Sequence, residues 1–134
     1  MAPKPLILIV DDDPEILLEL EELLTEEGCN CISASGVDEA IEIFNARKPV
    51  SLVITDMKMP GKSGLVLINH LRQPTEQTNL PIILISGHGG ITENTDQAIE
   101  KVNFHLQKPV DPSELIKIVE ETLNASLVRP GLSP

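Results

Sequence analysis

Leu52-Val53-Ile54-Thr55-Asp56-Met57-Lys58-Met59-Pro60-Gly61 decides how this chain folds. Its first four residues are apolar or β-branched and suit a strand buried on both faces. A lone carboxylate, Asp56, ends the run, and Pro60-Gly61 supplies turn chemistry just after it. A strand covered on both faces belongs to a parallel sheet, and open α/β sheets bind ligands beyond the C-terminal ends of their strands. Asp56 is therefore the first candidate site residue. The next question is which other side chains reach the same end of the sheet.

Working outward, four more short apolar runs read as strands: Leu6–Val10, Cys29–Ala34, Pro81–Ile85 and Phe104–Gln107, beside Leu52–Thr55. Helical periodicity fills the gaps. Asp13 is placed to cap a helix that starts at Pro14, carries Leu17, Leu20 and Leu24 on one face, and closes near Glu27 before Gly28. Ser35-x-x-Asp38 resembles a capping box ahead of Val37, Ala40, Ile41 and Phe44. Ser63 is placed to cap a third helix with Leu65, Ile68 and Leu71. The fourth, about Ile91–Lys101, follows a glycine-rich loop at Gly87–Gly90 and has a thin apolar face, which predicts low local stability. Asp111-Pro112-Ser113-Glu114 opens the fifth, whose stripe is Leu115, Ile118, Val119 and Leu123. Five strands alternating with five helices predict an α/β domain, a doubly wound parallel sheet with right-handed crossovers. The domain spans 5–124, and residues 125–134 break the pattern as a tail or the start of a linker.

Composition narrows the function. A chain of 134 residues with 41% apolar content fits one domain with a real core. The net charge is −11, and residues 1–27 hold nine of the 21 acids against a single base, Lys4. No Lys/Arg stripe exists, which excludes direct nucleic-acid binding by this domain. Two Phe with no Trp or Tyr leave little on which to stack bases or a flavin ring. Cys29 and Cys31 read as small buried hydrophobes rather than a disulfide. The longest apolar run, Leu6–Val10, is far too short to cross a membrane, and no signal peptide is visible. A soluble cytoplasmic protein without a membrane partner is expected.

The strand ends present Asp11-Asp12-Asp13, Asp56, Ser86 and Lys108. Carboxylates crowded together repel one another, and a hard divalent cation relieves the repulsion. Mg²⁺ suits an all-oxygen set, whereas Zn²⁺ is disfavoured without Cys or His at ligand spacing. The charges of Asp11, Asp12 and Asp56 cancel against one divalent ion and the Lys108 ammonium. Such a site can receive a phosphoryl group, whose transfer needs in-line positioning and charge stabilisation at its equatorial oxygens. Asp13 reads as a helix cap rather than a ligand.

Four landmarks stand in order at strand ends: Ile9-Val10-Asp11-Asp12, Asp56 through Gly64, Leu84-Ile85-Ser86-Gly87, and Lys108-Pro109. Together they resemble the receiver domain of bacterial two-component response regulators. The resemblance implies a flavodoxin-like (βα)5 fold with strand order 2-1-3-4-5. It also implies roles. Asp56 would be the phosphoacceptor, taking its phosphoryl group from a phosphohistidine of a sensor histidine kinase or phosphotransfer protein. Asp12 would bind Mg²⁺ directly, Asp11 mainly through water, and the backbone carbonyl of Lys58 would complete the ligands with Asp56. Ser86 and Lys108 would bind the phosphoryl oxygens, with a cis bond before Pro109. His105 occupies the position of the family's rotating switch residue, where Tyr or Phe is common. It reads either as a half-exposed strand histidine or as a smaller, titratable switch. Lys101-Val102 stands where Gly-Ala is frequent, so the turn into the fifth strand is expected to differ.

The implied function is a phosphorylation-dependent signalling switch rather than an enzyme, though one that assists its own phosphorylation and dephosphorylation. Its output would be changed affinity for an output domain or target protein at the surface of the fourth helix, fifth strand and fifth helix. A homodimer through the fourth and fifth helices is compatible with it. The alternative is a phosphatase of the haloacid dehalogenase type, with Asp11 as nucleophile and Asp13 as general acid/base. Pro14 leaves no room for that family's flap, and Asp56 would have no task. A flavodoxin-like cofactor carrier is opposed by the acidic first loop and the missing aromatics.

Overall fold

The computed structural model describes residues 4–47, 49–73, 79–87 and 93–127. Five strands, β1 (Leu6–Val10), β2 (Asn30–Ala34), β3 (Leu52–Asp56), β4 (Ile82–Ser86) and β5 (Phe104–Gln107), form one sheet in the order β2-β1-β3-β4-β5. Every pairing is parallel. Between and after them run α1 (Pro14–Glu26), α2 (Val37–Ala46), α3 (Gly64–Leu71), α4 (Glu93–Ile99) and α5 (Pro112–Leu127). The fold is the flavodoxin-like arrangement expected above.

Strand alternation divides the core into two halves. Ile7, Ile9, Leu52, Ile54, Ile83 and Ile85 pack with Leu20 and Leu24 of α1 and with Leu115, Val119 and Leu123 of α5. Leu8, Val10, Val53, Ile82 and Leu84 pack on the other face with Val37, Ala40 and Phe44 of α2, Leu65, Leu67, Ile68 and Leu71 of α3, and Ala98 of α4. Both faces of the three central strands are thus largely apolar, which is why β3 and β4 begin as hydrophobic runs, 52–54 and 82–85, and turn polar only towards their C-terminal ends.

Helix ends follow their local sequences, with instructive exceptions. Asp13 caps α1, accepting from the Glu15 amide at 2.9 Å with Pro14 behind it, and Gly28 takes φ 91° past the helix end. At α2 the expected Ser35–Asp38 box is displaced. Gly36 is the N-cap, and Glu39 reaches back to the Ser35 amide at 2.7 Å and hydroxyl at 3.1 Å. The longer side chain spans that gap, while Asp38 turns outward to Lys62 at 2.7 Å. Ser63 occupies the N-cap of α3 without a side-chain cap bond.

Strand limits shift by a residue. Cys29 precedes β2, while β3 extends through Asp56 and β4 through Ser86. Helix α4 buries Thr95 and Ala98, bearing out the thin apolar face, and its last residue is Ile99 rather than Lys101. Its expected start at Ile91 and the loop residues 88–90 lie outside the described residues. Helix α5 continues to Leu127, three residues past the expected boundary at 124, and the rest of the tail lies outside the described residues. The cysteines are free, and burial lifts both thiols, Cys31 to about 11.

Candidate functional site

Order β2-β1-β3-β4-β5 sets β1 beside β3. Val10 pairs with Thr55, so the next residues, Asp11 and Asp56, emerge side by side. The Asp11 amide continues the ladder by donating to the Ala34 carbonyl at 3.1 Å. Asp11 is 3% exposed and Asp56 5%. Asp12 is exposed beside them, and one carboxylate oxygen from each of the three lies within 4.8 Å of the others.

Each buried carboxylate has one oxygen held by backbone and one left for the pocket. Asp11 Oδ1 accepts from the Asp13 amide at 2.9 Å, and Asp56 Oδ1 accepts from the Met57 amide at 2.9 Å. The remaining oxygens face one ammonium: Lys108 Nζ lies 3.1 Å from Asp11 Oδ2 and 3.3 Å from Asp56 Oδ2. Lys108 sits just past β5, tied by its amide to the Ser86 carbonyl at 2.8 Å, and reaches back across β4. The Lys108–Pro109 bond is cis, as the resemblance implied.

Burial pushes the Asp56 carboxyl above its usual range, and the neighbouring Asp11 charge pushes the same way. Lys108 and the Met57 amide oppose them without cancelling the rise. For Lys108, burial favours the neutral amine, but its bonds to Asp11 and the charges of Asp56 and Asp11 outweigh that and raise its pKa. The pocket therefore holds more negative charge than one ammonium neutralises.

That imbalance is what a hard cation relieves. Among the described residues the donors are carboxylate oxygens, two of the carboxylates with a buried oxygen already oriented into the pocket, and no thiolate or imidazole belongs to the cluster. This set fits Mg²⁺. Lys58, offered by sequence for its backbone carbonyl, is exposed in the β3–α3 loop, where buried Met57 and Met59 on either side anchor the chain to the core.

Alternation places the other two candidates elsewhere. Asp11, Asp56 and Lys108 share the parity of Ile9, Ile54 and Leu106, the face of α1 and α5. Ser86 and His105 share the parity of Leu84, on the face of α2, α3 and α4. Ser86 pairs with Gln107, so His105, two residues earlier, is its diagonal neighbour on that face. The Ser86 hydroxyl lies 2.7 Å from His105 Nε2. His105 is half-buried, as expected, but it is also bonded.

Two residues carry structural duties that no local sequence pattern assigns to them. At Gly64 an added Cβ would lie 2.4 Å from the Asp56 carbonyl oxygen, and its amide donates to the Met57 carbonyl at 2.7 Å. Glycine here lets the start of α3 close onto the end of β3; the signal available was a glycine directly after a cap residue. Arg72 donates to the carbonyls of Lys101 at 2.8 Å and Leu80 at 2.5 Å and to Asn103 Oδ1 at 3.1 Å. It fastens the end of α3 to the Lys101-Val102 turn, which Lys101 also joins to Asn69. A lone arginine after a helix carries no pattern that foretells this.

An apolar groove of about 600 Å³ runs from Lys108 between α1 and the β5–α5 loop, lined by Ile16, Leu20, Leu23, Ile85 and Pro109 among others. Beside Lys108 its lining includes one further charged residue, Glu19, so the chemistry stays with the strand-end carboxylates. Asp13, needed as general acid/base in the phosphatase alternative, is engaged as the α1 cap. Among the described residues, no helix is long and apolar enough to cross a membrane.

With this geometry in view, the sequence matches the family described as the response regulator receiver domain over residues 7–120. It is 33% identical over 127 residues to the transcriptional regulatory protein GlrR of Escherichia coli strain K12, covering 94% of this chain and 28% of that protein. It is 38% identical over 117 residues to the response regulator protein PilR of Pseudomonas aeruginosa, covering 87% of this chain and 25% of PilR. The chain thus spans about a quarter of the length of both regulators. A crystal structure of a response regulator receiver protein from Pseudomonas putida superimposes with TM-score 0.81 at 35% identity, covering 90% of this chain and 99% of that one.

Proposed function

We propose, because this chain belongs to the response regulator receiver domain family, that it is a phosphorylation-dependent switch with Asp56 as phosphoacceptor. One observation carries the assignment. Asp56 Oδ1 is held by the Met57 amide, while Oδ2 faces the pocket shared with Asp11, Asp12 and Lys108. The donor would be a phosphohistidine on a sensor histidine kinase or phosphotransfer protein. Asp56 Oδ2 attacks phosphorus in line, an O–P bond forms, and the P–N bond breaks with its electron pair leaving on the imidazole, which then takes a proton.

Lys108 Nζ, already placed between two carboxylates, pairs with the phosphoryl oxygens as charge moves onto Asp56. Asp11, Asp12, Asp56 and the Lys58 carbonyl would hold Mg²⁺, which when bound supplies the remaining positive charge at those oxygens. Ser86 would turn from the α4 face to donate to the same oxygens. His105 and the short α4 then shift, and the α4–β5–α5 surface changes its affinity for an output domain, a target or a second copy of the chain. The thin apolar face of α4 supports low-cost motion there.

Incubation with Mg²⁺ and a small acyl phosphate, followed by mass spectrometry, tests the assignment. One phosphoryl group is expected on Asp56 and none on Asp56→Asn. Phosphate on Asp11 instead would sink it.

A further inference from the structure

Ser86 has one hydroxyl proton, and in this structure it does not face the acidic pocket. Among the described residues its Oγ bonds to His105 Nε2 at 2.7 Å and to neither Asp56 nor Lys108. Alternation explains the separation, since Ser86 and His105 lie on the α4 face and the carboxylates on the α1/α5 face. A phosphoryl oxygen is an acceptor only, so Ser86 can serve it only by donating that proton. A neutral imidazole whose Nε2 carries no hydrogen competes for the same proton.

We propose that His105 is a positioning residue that acts through Ser86, a latch that accepts the Ser86 hydroxyl proton and holds the side chain away from the phosphoryl site until phosphorylation. This rests on the functional reading above and goes beyond it. There, the residue at position 105 shifts after the event; here, it opposes the event through a direct hydrogen bond. Three features support it. The bond is short, in the range of hydroxyl donors. Ser86 is 9% exposed, so few water molecules compete for its proton. Ser86 is also fixed in the backbone ladder, where its carbonyl accepts from the Lys108 amide at 2.8 Å, so the hydroxyl can change partner only by side-chain rotation. A phenyl ring at position 105 would fill the same space and accept no hydrogen bond.

The test measures binding of beryllofluoride, a phosphoryl mimic on carboxylates, to the whole chain with Mg²⁺, followed by amide NMR. His105→Phe is expected to bind about fivefold more tightly than wild type, the worth of one ordinary hydrogen bond. His105→Gln, whose amide oxygen can accept the same proton, is expected to stay near wild type. In a Ser86→Ala background, His105→Phe is expected to change nothing, because no proton remains to compete for. Nitrogen spectra of the unliganded protein are expected to show His105 Nε2 without a hydrogen.

No tightening in His105→Phe overturns the latch, as does equal tightening with and without Ser86 or a hydrogen on Nε2. The amide spectrum of each variant reports its fold, and the imidazole spectrum of the unsubstituted protein decides the matter should a variant unfold. Failure of the wild type to bind beryllofluoride, or binding that survives Asp56→Asn, would instead overturn the receiver reading. The imidazole spectrum would still report whether Ser86 donates to His105.

Discussion

The two faces of the sheet treat their polar groups differently at the same end of the molecule. On the α1/α5 face, Asp11, Asp56 and Lys108 are fixed by backbone amides and by one another, and carry charge that burial opposes. On the α4 face, Ser86 and His105 share a hydrogen bond beside a short helix. The first arrangement is preorganised: little must move for charge to be received there. The second would, on the proposed function, hold two side chains in one of two pairings, which is what a switch needs. Separation by strand parity would let one face keep its geometry while the other changes, as the proposed function requires.

The largest effect is expected at Gly64, the contact that holds the carboxylate face. Gly64→Ala places a carbon against the Asp56 carbonyl oxygen, a backbone neighbour that cannot rotate aside. A stability loss of about 2–4 kcal/mol is expected in chemical denaturation, with phosphorylation of Asp56 impaired. Lys108→Ala comes next. It strands two buried carboxylates, and a loss of about 1–3 kcal/mol is expected after allowing for the partial exposure of the lysine. Added Mg²⁺ should restore more stability to this variant than to wild type, because the ion replaces the missing positive charge.

Arg72→Ala tests the other face. Losing its bonds to Lys101, Leu80 and Asn103 should cost about 1–2 kcal/mol and speed amide exchange at the end of α4, leaving the carboxylate pocket undisturbed. Exchange speeded equally around Asp56 would show that the two faces are not independent.

Asp56→Asn is expected to give the smallest change, and a stabilising one. The folded protein holds a proton on Asp56 at higher pH than the unfolded chain does. Stability therefore falls as pH rises from the unfolded carboxyl range through the raised folded value, and is flat above it. Asn lacks that slope. At neutral pH a gain of about 1 kcal/mol is expected, roughly 3–5 °C in melting temperature for a domain of this size. The gain should vanish in acid, and a variant less stable than wild type at neutral pH would contradict the strained-charge account of the pocket.

Much of this was legible from residues alone. Leu6–Val10, 52–54 and 82–85 are apolar throughout because both of their faces are covered, and the polar residues that follow each run mark the edge of the core. Asp13-Pro14 and Asp111-Pro112 announced their helices because capping depends on a few adjacent residues. The displaced box at Ser35 shows the limit, since Asp and Glu satisfy similar patterns and their reach decides between them.

Sequence by itself determined the alternation of strands and helices, and with it the list of polar side chains at the strand ends, because burial and turn chemistry act on neighbouring residues. Tertiary structure alone decided which of them meet. Parallel pairing of β1 with β3 brings Asp11 against Asp56, and the length of Lys108 carries it across β4 to both. The registers of β4 and β5 turn Ser86 toward His105, and closure of α3 onto Asp56 demands a glycine at 64. These contacts depend on strand order, register and distance between residues far apart in the chain, and no local pattern encodes those.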